Sequence, residues 1–292
     1  MIKHFGPNLI GRDFVCGDIH GCFDLVESFL NKIGFDKTKD RLFSVGDLVD
    51  RGPFNERCLD LLYQPWFHMV KGNHDFMMSE GFRGDSKYGM VWLNHGGLWA
   101  VNYLGDSDEM SIYVRGAVED IINKLPLLIT VQKKDGSKFH VMHAELTHDE
   151  HLTDDDLADE HFLKQLATRQ TRDGDFILWA RNMFIRFHDR HLDERVIAKI
   201  KKGIVIENKN VHAIFNPKLS HIYSGHTVVR NPIQFYGQTD LDTMAYGSYA
   251  VDKHSGKKVN PWAGLTFTEP ETGKFWKVAG DQFTEIKPIV II

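Results

Sequence analysis

The sequence predicts an α/β fold, and three observations carry that prediction. Short apolar runs that end in Gly-Asp or Gly-Asn alternate with helix-period segments through the first part of the chain. A β-hairpin pattern sits at the centre, and aromatic runs punctuated by turn residues fill the end. With 292 residues, 42% of them hydrophobic and 26% charged, the chain has the composition of a globular protein that buries a core.

The elements follow in order. Residues 14–16 form an apolar run ending at Gly17-Asp18, and residues 23–33 place Leu25, Val26, Phe29, Leu30 and Ile33 at helical spacing. Residues 42–45 form a second run ending at Gly46-Asp47, and residues 57–63 read as helix. Residues 66–70 are strand-like and lead to Gly72-Asn73. Strand, loop and helix in succession describe a parallel sheet covered by helices. Longer helical patterns occupy residues 88–103 and 110–124, and Pro126 closes the second. Residues 127–131 and 139–142 flank Lys133-Lys134-Asp135-Gly136 and predict a β-hairpin. Thr153-Asp154-Asp155-Asp156 predicts a capping box that opens a helix. It is not a calcium loop, because no glycine or terminal glutamate follows at EF-hand spacing. Residues 222–224 are a further strand ending at Gly225-His226. Beyond Tyr249, Ser255-Gly256 and Glu271-Thr272-Gly273 mark the turns of further hairpins. No repeat, low-complexity segment or linker divides the chain, so residues 1–292 read as one domain.

Composition also excludes functions. A formal charge of −5 argues against a general nucleic-acid-binding surface, so any affinity for phosphate must be local. No apolar run approaches the roughly twenty residues that span a bilayer. The start of the chain lacks the basic-then-apolar layout of a secretory signal. Cys16, Cys22 and Cys58 are odd in number and form no CxxC pair, which reads as reduced thiols in a cytoplasmic protein. Oligomeric state is not legible.

The metal-capable residues fall at strand ends. Asp18 and His20 lie just past the first strand, Asp47 past the second, and Asn73 with His74 past the third. His143 and His226 end two later strands. Ligands of open α/β sheets bind beyond the carboxyl ends of the strands, so six donors from five strand ends can converge there. A lone histidine at a strand end is more often a surface or core residue. The glycines beside these ligands change that balance, because they let the backbone turn sharply and approach an ion. Carboxylate, carboxamide and imidazole suit Mn²⁺, Fe or Zn²⁺. Six donors exceed one tetrahedral zinc and suit two divalent ions sharing a carboxylate.

The loops Gly17-Asp18-Ile19-His20-Gly21, Gly46-Asp47-Leu48-Val49-Asp50-Arg51-Gly52 and Gly72-Asn73-His74-Asp75 resemble the calcineurin-like metallophosphoesterase superfamily, with its GDxHG, GDxxDRG and GNH(E/D) pattern. Phe139-His140-Val141-Met142-His143-Ala144 looks like that family's strand-borne histidine, and Ser224-Gly225-His226-Thr227 like its GHT segment. Pro65-Trp66-Phe67 and Ile177-Leu178-Trp179-Ala180-Arg181 are most similar to the bacteriophage lambda-type serine/threonine protein phosphatases. The resemblance covers about residues 12–252 and leaves 253–292 as a C-terminal extension. It implies a calcineurin-like fold, a central β-sandwich of mixed sheets flanked by helices, with a dinuclear metal site at the sheet edge. That amends the simple parallel sheet.

The resemblance further implies that Asp18, His20 and Asp47 bind a first metal. Asp47 bridges to a second, which Asn73, His143 and His226 complete. Water held between two cations is deprotonated near neutral pH, and the resulting hydroxide would attack phosphorus in line. Arg51 would grip the phosphoryl oxygens with paired hydrogen bonds, and Arg181 is a second candidate for that grip, with a plain helix-surface role as its alternative. His74 would protonate the leaving alkoxide, with Asp50 orienting its ring, unless Asp50 is only a turn residue. Other phosphatase chemistries lack their motifs. Each cysteine has Cys22, Ser28 or Gln64 six positions on instead of arginine, and Asp240-Leu241-Asp242-Thr243-Met244 misses the aspartyl-phosphate pattern at its last residue. The expected substrates are phosphoserine and phosphothreonine proteins and small phosphate esters. Asp75, in place of the protein phosphatases' glutamate, and Gly52-Pro53 keep symmetrical dinucleoside-tetraphosphate hydrolysis as the alternative, with Lys71 and Lys87 as candidate basic contributors. A non-catalytic metal-binding partner protein is more remote, since it has no need of His74 or Arg51.

Overall fold

The computed structural model describes residues 1–105, 107–145, 152–168, 177–181, 218–235 and 237–291. In chain order its elements begin with β1 (Ile2–Phe5), β2 (Asp13–Cys16), α1 (Phe23–Lys32), β3 (Arg41–Ser44), α2 (Asn55–Leu59), β4 (Phe67–Met69) and α3 (Asn73–Phe82). There follow α4 (Ser86–Asn94), α5 (Glu109–Gly116), β5 (Leu128–Gln132), β6 (Lys138–Val141), α6 (Asp154–Ala158), α7 (Glu160–Thr168) and β7 (His221–Ser224). The last are β8 (Ile233–Phe235), β9 (Gln238–Asp240), β10 (Leu265–Glu269), β11 (Lys274–Ala279), β12 (Gln282–Ile286) and β13 (Ile289–Ile291).

Two mixed sheets stack face to face. One runs β12-β11-β10-β2-β3-β4, the other β1-β5-β6-β7-β9-β8-β13. The period-two alternation of a strand explains the layers. Phe14 and Cys16 of β2 join a helix-side core with Leu25 and Phe29 of α1, while Val15 between them joins Ile129, Val131, Phe139 and Val141 of the facing sheet. Leu128, Met142 and Ile222 point to the opposite outer face, where Leu157 of α6 and Leu163 of α7 cover them. The order is helix, sheet, sheet, helix.

The first half of the prediction holds where it is local. β2, β3 and β4 are parallel, with Phe14 opposite Leu42 and Leu42 opposite Phe67. β5 and β6 form the expected antiparallel hairpin. Thr153 and Asp156 form the capping box: Asp156 Oδ2 accepts from the Thr153 N–H at 2.8 Å, and Thr153 Oγ1 accepts from the Asp156 N–H at 3.4 Å. The turn at 271–273 joins β10 to β11 as expected.

The mixed sheets that the resemblance implies are present: β10 pairs antiparallel with the free edge of β2, placing Phe267 opposite Cys16. Within residues 253–292, β10 to β12 build half of one sheet and β13 lies beside β8 in the other. Two features differ from the sequence reading. The single helix expected over 88–103 is broken. α4 stops at Asn94, Gly96 adopts φ +125°, which an L side chain rarely tolerates, and a 3₁₀ segment runs from Gly97 to Tyr103. Finally, α3 went unread because it has no single apolar face. Asn73, His74, Asp75, Met77, Met78 and Ser79 are all buried, which erases the periodicity that marks a helix. Among the described residues, no helix is long and apolar enough to cross a membrane.

Candidate metal centre

Parallel strands deliver their carboxyl ends to one edge, and the candidate residues collect there. Asp18 and His20 follow β2, Asp47 follows β3, Asn73 opens α3 after β4, His143 follows β6 and His226 follows β7. The backbone is strained at this edge. Six non-glycine residues among those described have positive φ, and five are candidates: His20 (45°), Asp47 (49°), Asp50 (76°), Arg51 (70°) and His226 (68°). Each such residue costs about 1–3 kcal/mol, so the packing around the edge must hold them in place. Gly72 shows how close that packing is. A Cβ there would run into the backbone and carboxylate of Asp47.

Asp47 lies at the centre. Its Oδ1 accepts from the His74 N–H at 2.8 Å, at the N-terminus of α3 where a helix favours negative charge. His20 Nε2 is 3.5 Å from Oδ2 and His143 Nε2 is 3.5 Å from Oδ1. The other ring nitrogens are occupied: His20 Nδ1 lies 3.0 Å from the Val49 carbonyl and His143 Nδ1 2.9 Å from that of Val45. A carbonyl only accepts, so both Nδ1 atoms donate and both Nε2 atoms are left unprotonated, the tautomer a metal-ligating imidazole needs. Asn73 Oδ1 sits 2.8 Å from His143 Nε2 and 2.9 Å from His226 Nδ1, and the His226 N–H donates to Asp18 at 3.1 Å. Single donor atoms of Asp18, Asp47 and His143 lie within 4.8 Å of one another, as do those of His20, Asp47 and His74. Asp47 belongs to both groups.

Electrostatics at this edge test whether cations fit. Asp18 and Asp47 are buried, and among the described residues neither pairs with a lysine or arginine. Burial, then the Asp242 and Asp47 carboxylates, push Asp18 well above the ordinary range. Burial holds His143 and His226 below the ordinary imidazole range, and burial followed by the Arg51 charge does the same to His20. Neutral imidazoles beside uncompensated buried carboxylates form a site that divalent cations would complete. The buried His226 Nε2, which has no hydrogen-bond partner among the described residues, adds a further open polar atom. The donor set therefore fits two divalent ions.

Beside the donors lies a second constellation. His74 Nδ1 is 2.6 Å from Asp50 Oδ2, and both residues are buried. Arg51 places Nη1 2.8 Å from His20 Nε2 and Nη2 2.8 Å from His74 Nε2. A guanidinium has no acceptor, so both Nε2 atoms accept and His74 Nδ1 donates to Asp50. The Tyr246 ring stacks on Arg51, with its centroid 5.0 Å from the guanidinium carbon. Arg181 is exposed and donates from Nη2 to the His226 carbonyl at 3.4 Å, at the rim rather than among the donors. The two lysines are directed elsewhere: Lys71 Nζ donates to the Asn123 carbonyl at 3.0 Å, and Lys87 lies over the Tyr88 ring.

Four residues escaped the sequence reading as parts of this site. Asp75 accepts from the N–H groups of Gly72 (2.8 Å), Asp47 (2.9 Å) and Leu48 (3.2 Å), tying α3 to the loop after β3, and burial beside Asp47 pushes it up to about 7. It stands three residues after the N-cap Gly72 and accepts from that residue's N–H, which a glycine without a side chain cannot reciprocate. Asp242 enters the sequence reading only within a failed motif, yet it is buried close enough for its charge to raise Asp18, and burial raises Asp242 itself to about 6. Trp92 and Trp99 both donate to Asp50. Nothing local in the sequence marks them.

Comparison with known proteins completes the picture. The calcineurin-like phosphoesterase family matches residues 14–230. Serine/threonine-protein phosphatase 2 of Escherichia coli is 38% identical over 153 residues, covering 51% of this chain and 66% of that protein. Serine/threonine-protein phosphatase 1 of Salmonella typhimurium is 45% identical over 86 residues, 30% of this chain and 39% of that one. A symmetrical bis(5'-nucleosyl)-tetraphosphatase of Hamiltonella defensa is 43% identical over 65 residues, 22% of this chain and 24% of its own. The matches thus span less than two thirds of these relatives' length. A crystal structure of a candidate diadenosine tetraphosphatase shares the fold, with TM-score 0.54 at 18% identity over 98% of this chain and 97% of that one.

Proposed function

The chain belongs to the calcineurin-like phosphoesterase family, and from that premise we propose a metal-dependent phosphomonoesterase acting on phosphoserine and phosphothreonine proteins and on small phosphate esters. Asp18, His20, Asp47, Asn73, His143 and His226 would hold two divalent ions, with Asp47 shared, and oxygen and imidazole donors suit Mn²⁺ among the candidates. When bound, such ions supply Lewis acidity toward the phosphoryl oxygens and activate water as the nucleophile.

The observation that carries the monoester reading is the Asp50–His74–Arg51 arrangement. His74 Nδ1 donates to Asp50, so Nε2 is the one ring atom left to carry a further proton. In this structure it accepts from Arg51, so it would carry a proton to the leaving oxygen once the guanidinium turns to grip the phosphoryl group. An alkoxide needs that proton, whereas a polyphosphate leaving group is already stable as an anion. Arg181, at the rim, would extend the grip.

Dinucleoside-tetraphosphate hydrolysis is the second reading, supported by the 43% identity to a symmetrical tetraphosphatase over 65 residues. Values of kcat/KM for a phosphothreonine peptide and a dinucleoside tetraphosphate, measured with Mn²⁺, separate the two. A ratio favouring the peptide supports the monoesterase, and the reverse ratio replaces it with the second reading.

A further inference from the structure

Asp50 is a fully buried carboxylate in a left-handed backbone conformation, φ +76°. Among the described residues no lysine or arginine pairs with it; its oxygens face nitrogen donors on three side chains instead. Trp92 Nε1 donates to Oδ2 at 2.9 Å and to Oδ1 at 3.1 Å, Trp99 Nε1 donates to Oδ1 at 2.7 Å, and His74 Nδ1 lies 2.6 Å from Oδ2. Both tryptophans come from the broken helical stretch that follows α3.

We propose that Trp92 and Trp99 are positioning residues of the phosphoesterase reaction, holding Asp50 so that it aims the His74 ring; this rests on the acid role proposed above for His74. An indole N–H only donates and cannot turn to accept, so each ring fixes both the position of Asp50 and the direction of its lone pairs. The rings are themselves held. Trp92 is fully buried against Phe82, with ring centroids 5.8 Å apart, and a side chain at Gly97 would strike its indole. Trp99 packs on Tyr103, whose hydroxyl donates to Glu56 at 2.9 Å. The chain between the two rings closes over the residues they serve. A Cβ at Gly96 would stand 3.2 Å from Asp50 Cβ and 3.0 Å from the Arg51 nitrogen, and Arg51 Nε donates to the His95 carbonyl at 3.4 Å. Residues 92–99 thus form a bracket over Asp50 and Arg51. A misaimed general acid slows only those steps that need its proton.

That dependence separates positioning from simple packing. Trp99→Phe keeps the ring and removes the donor. It should lower kcat on a phosphothreonine peptide by roughly tenfold, below the 10²–10⁴ that loss of the acid itself costs. On an aryl phosphate, whose leaving group needs little protonation, the loss should stay under about twofold. KM and metal content should not change. Trp92→Phe should show the same pattern. Equal losses on both esters, or a loss that follows metal content, would overturn the proposal. A second measurement needs no turnover. Of the six tryptophan indole N–H signals in the ¹⁵N spectrum, two should be protected from exchange and should shift in Asp50→Asn. If no pair responds, the bracket is wrong. If the pair responds but no monoester is hydrolysed, the functional reading fails instead.

Discussion

The six-stranded sheet has two halves built on different rules, and only one gathers the candidate site residues. In β2, β3 and β4 the strands are parallel, so all three carboxyl ends reach the same edge and their loops meet there. In β10, β11 and β12 they are antiparallel, so successive ends alternate between opposite edges and are joined by tight turns. The first half concentrates buried carboxylates, imidazoles and left-handed backbone at its edge. The second contributes large apolar side chains, among them Phe267, which stacks on Phe29 at 3.8 Å between ring centroids. The second lies against the first along β2, where Phe267 faces Cys16 and Thr268 faces Val15.

Substitutions in the parallel half should change chemistry before stability, and the largest effect should come from Asp47→Asn. Asp47 is the one residue common to both donor groups, so its loss should exceed the 10–100-fold that removal of a metal site's outer partner costs. Elemental analysis should find both ions diminished in the purified variant. Full metal with full rate would remove Asp47 from the shared position. His74→Asn comes next. It should retain metal yet slow alkyl phosphate esters by roughly 10²–10⁴-fold while sparing aryl esters. Equal slowing of both classes would make His74 something other than the acid.

The antiparallel half should respond the other way. Phe267 is fully buried against Phe29, so Phe267→Ala should destabilise by about 3–5 kcal/mol in denaturant unfolding. The ratio of alkyl to aryl turnover in the folded fraction should stay as it was. A changed ratio would mean that the two halves are coupled more tightly than their contacts imply.

What was legible in the sequence follows the same division. The three loops could be read because each places a glycine and a polar donor side by side at the end of an apolar run, a local signal. The hairpin turn at 271–273 was equally local. The pairing of β10 with β2 was not, because it joins segments from opposite ends of the chain and no residue in either announces the other. Trp92 and Trp99 were invisible for the same reason: their shared partner lies 42 and 49 positions away. α3 failed differently. It is buried on all sides where it meets the candidate site, so the polar residues buried there also erase the pattern that marks a helix.

The smallest predicted effect concerns charge in the antiparallel half. Lys277 on β11 is half-buried, and its Nζ donates to the carbonyls of Arg230 at 2.7 Å and Trp262 at 3.0 Å. Burial lowers its pKa to about 8, from 10.5 for an ordinary lysine. The folded chain therefore releases this proton more readily than the unfolded one. Below pH 8 both states are protonated and the cost of burying the charge is fully present. Between 8 and 10.5 the unfolded chain binds more protons, so the contribution of Lys277 to stability improves as pH rises, and above that window it levels off. Lys277→Gln keeps an N–H donor for the carbonyls and has nothing to titrate. The difference in unfolding free energy between wild type and this variant should accordingly move in favour of wild type from pH 7 to pH 10. A difference that stays flat across that range would show that the two carbonyls hold the charge as well as water does, and that the antiparallel half is electrostatically inert.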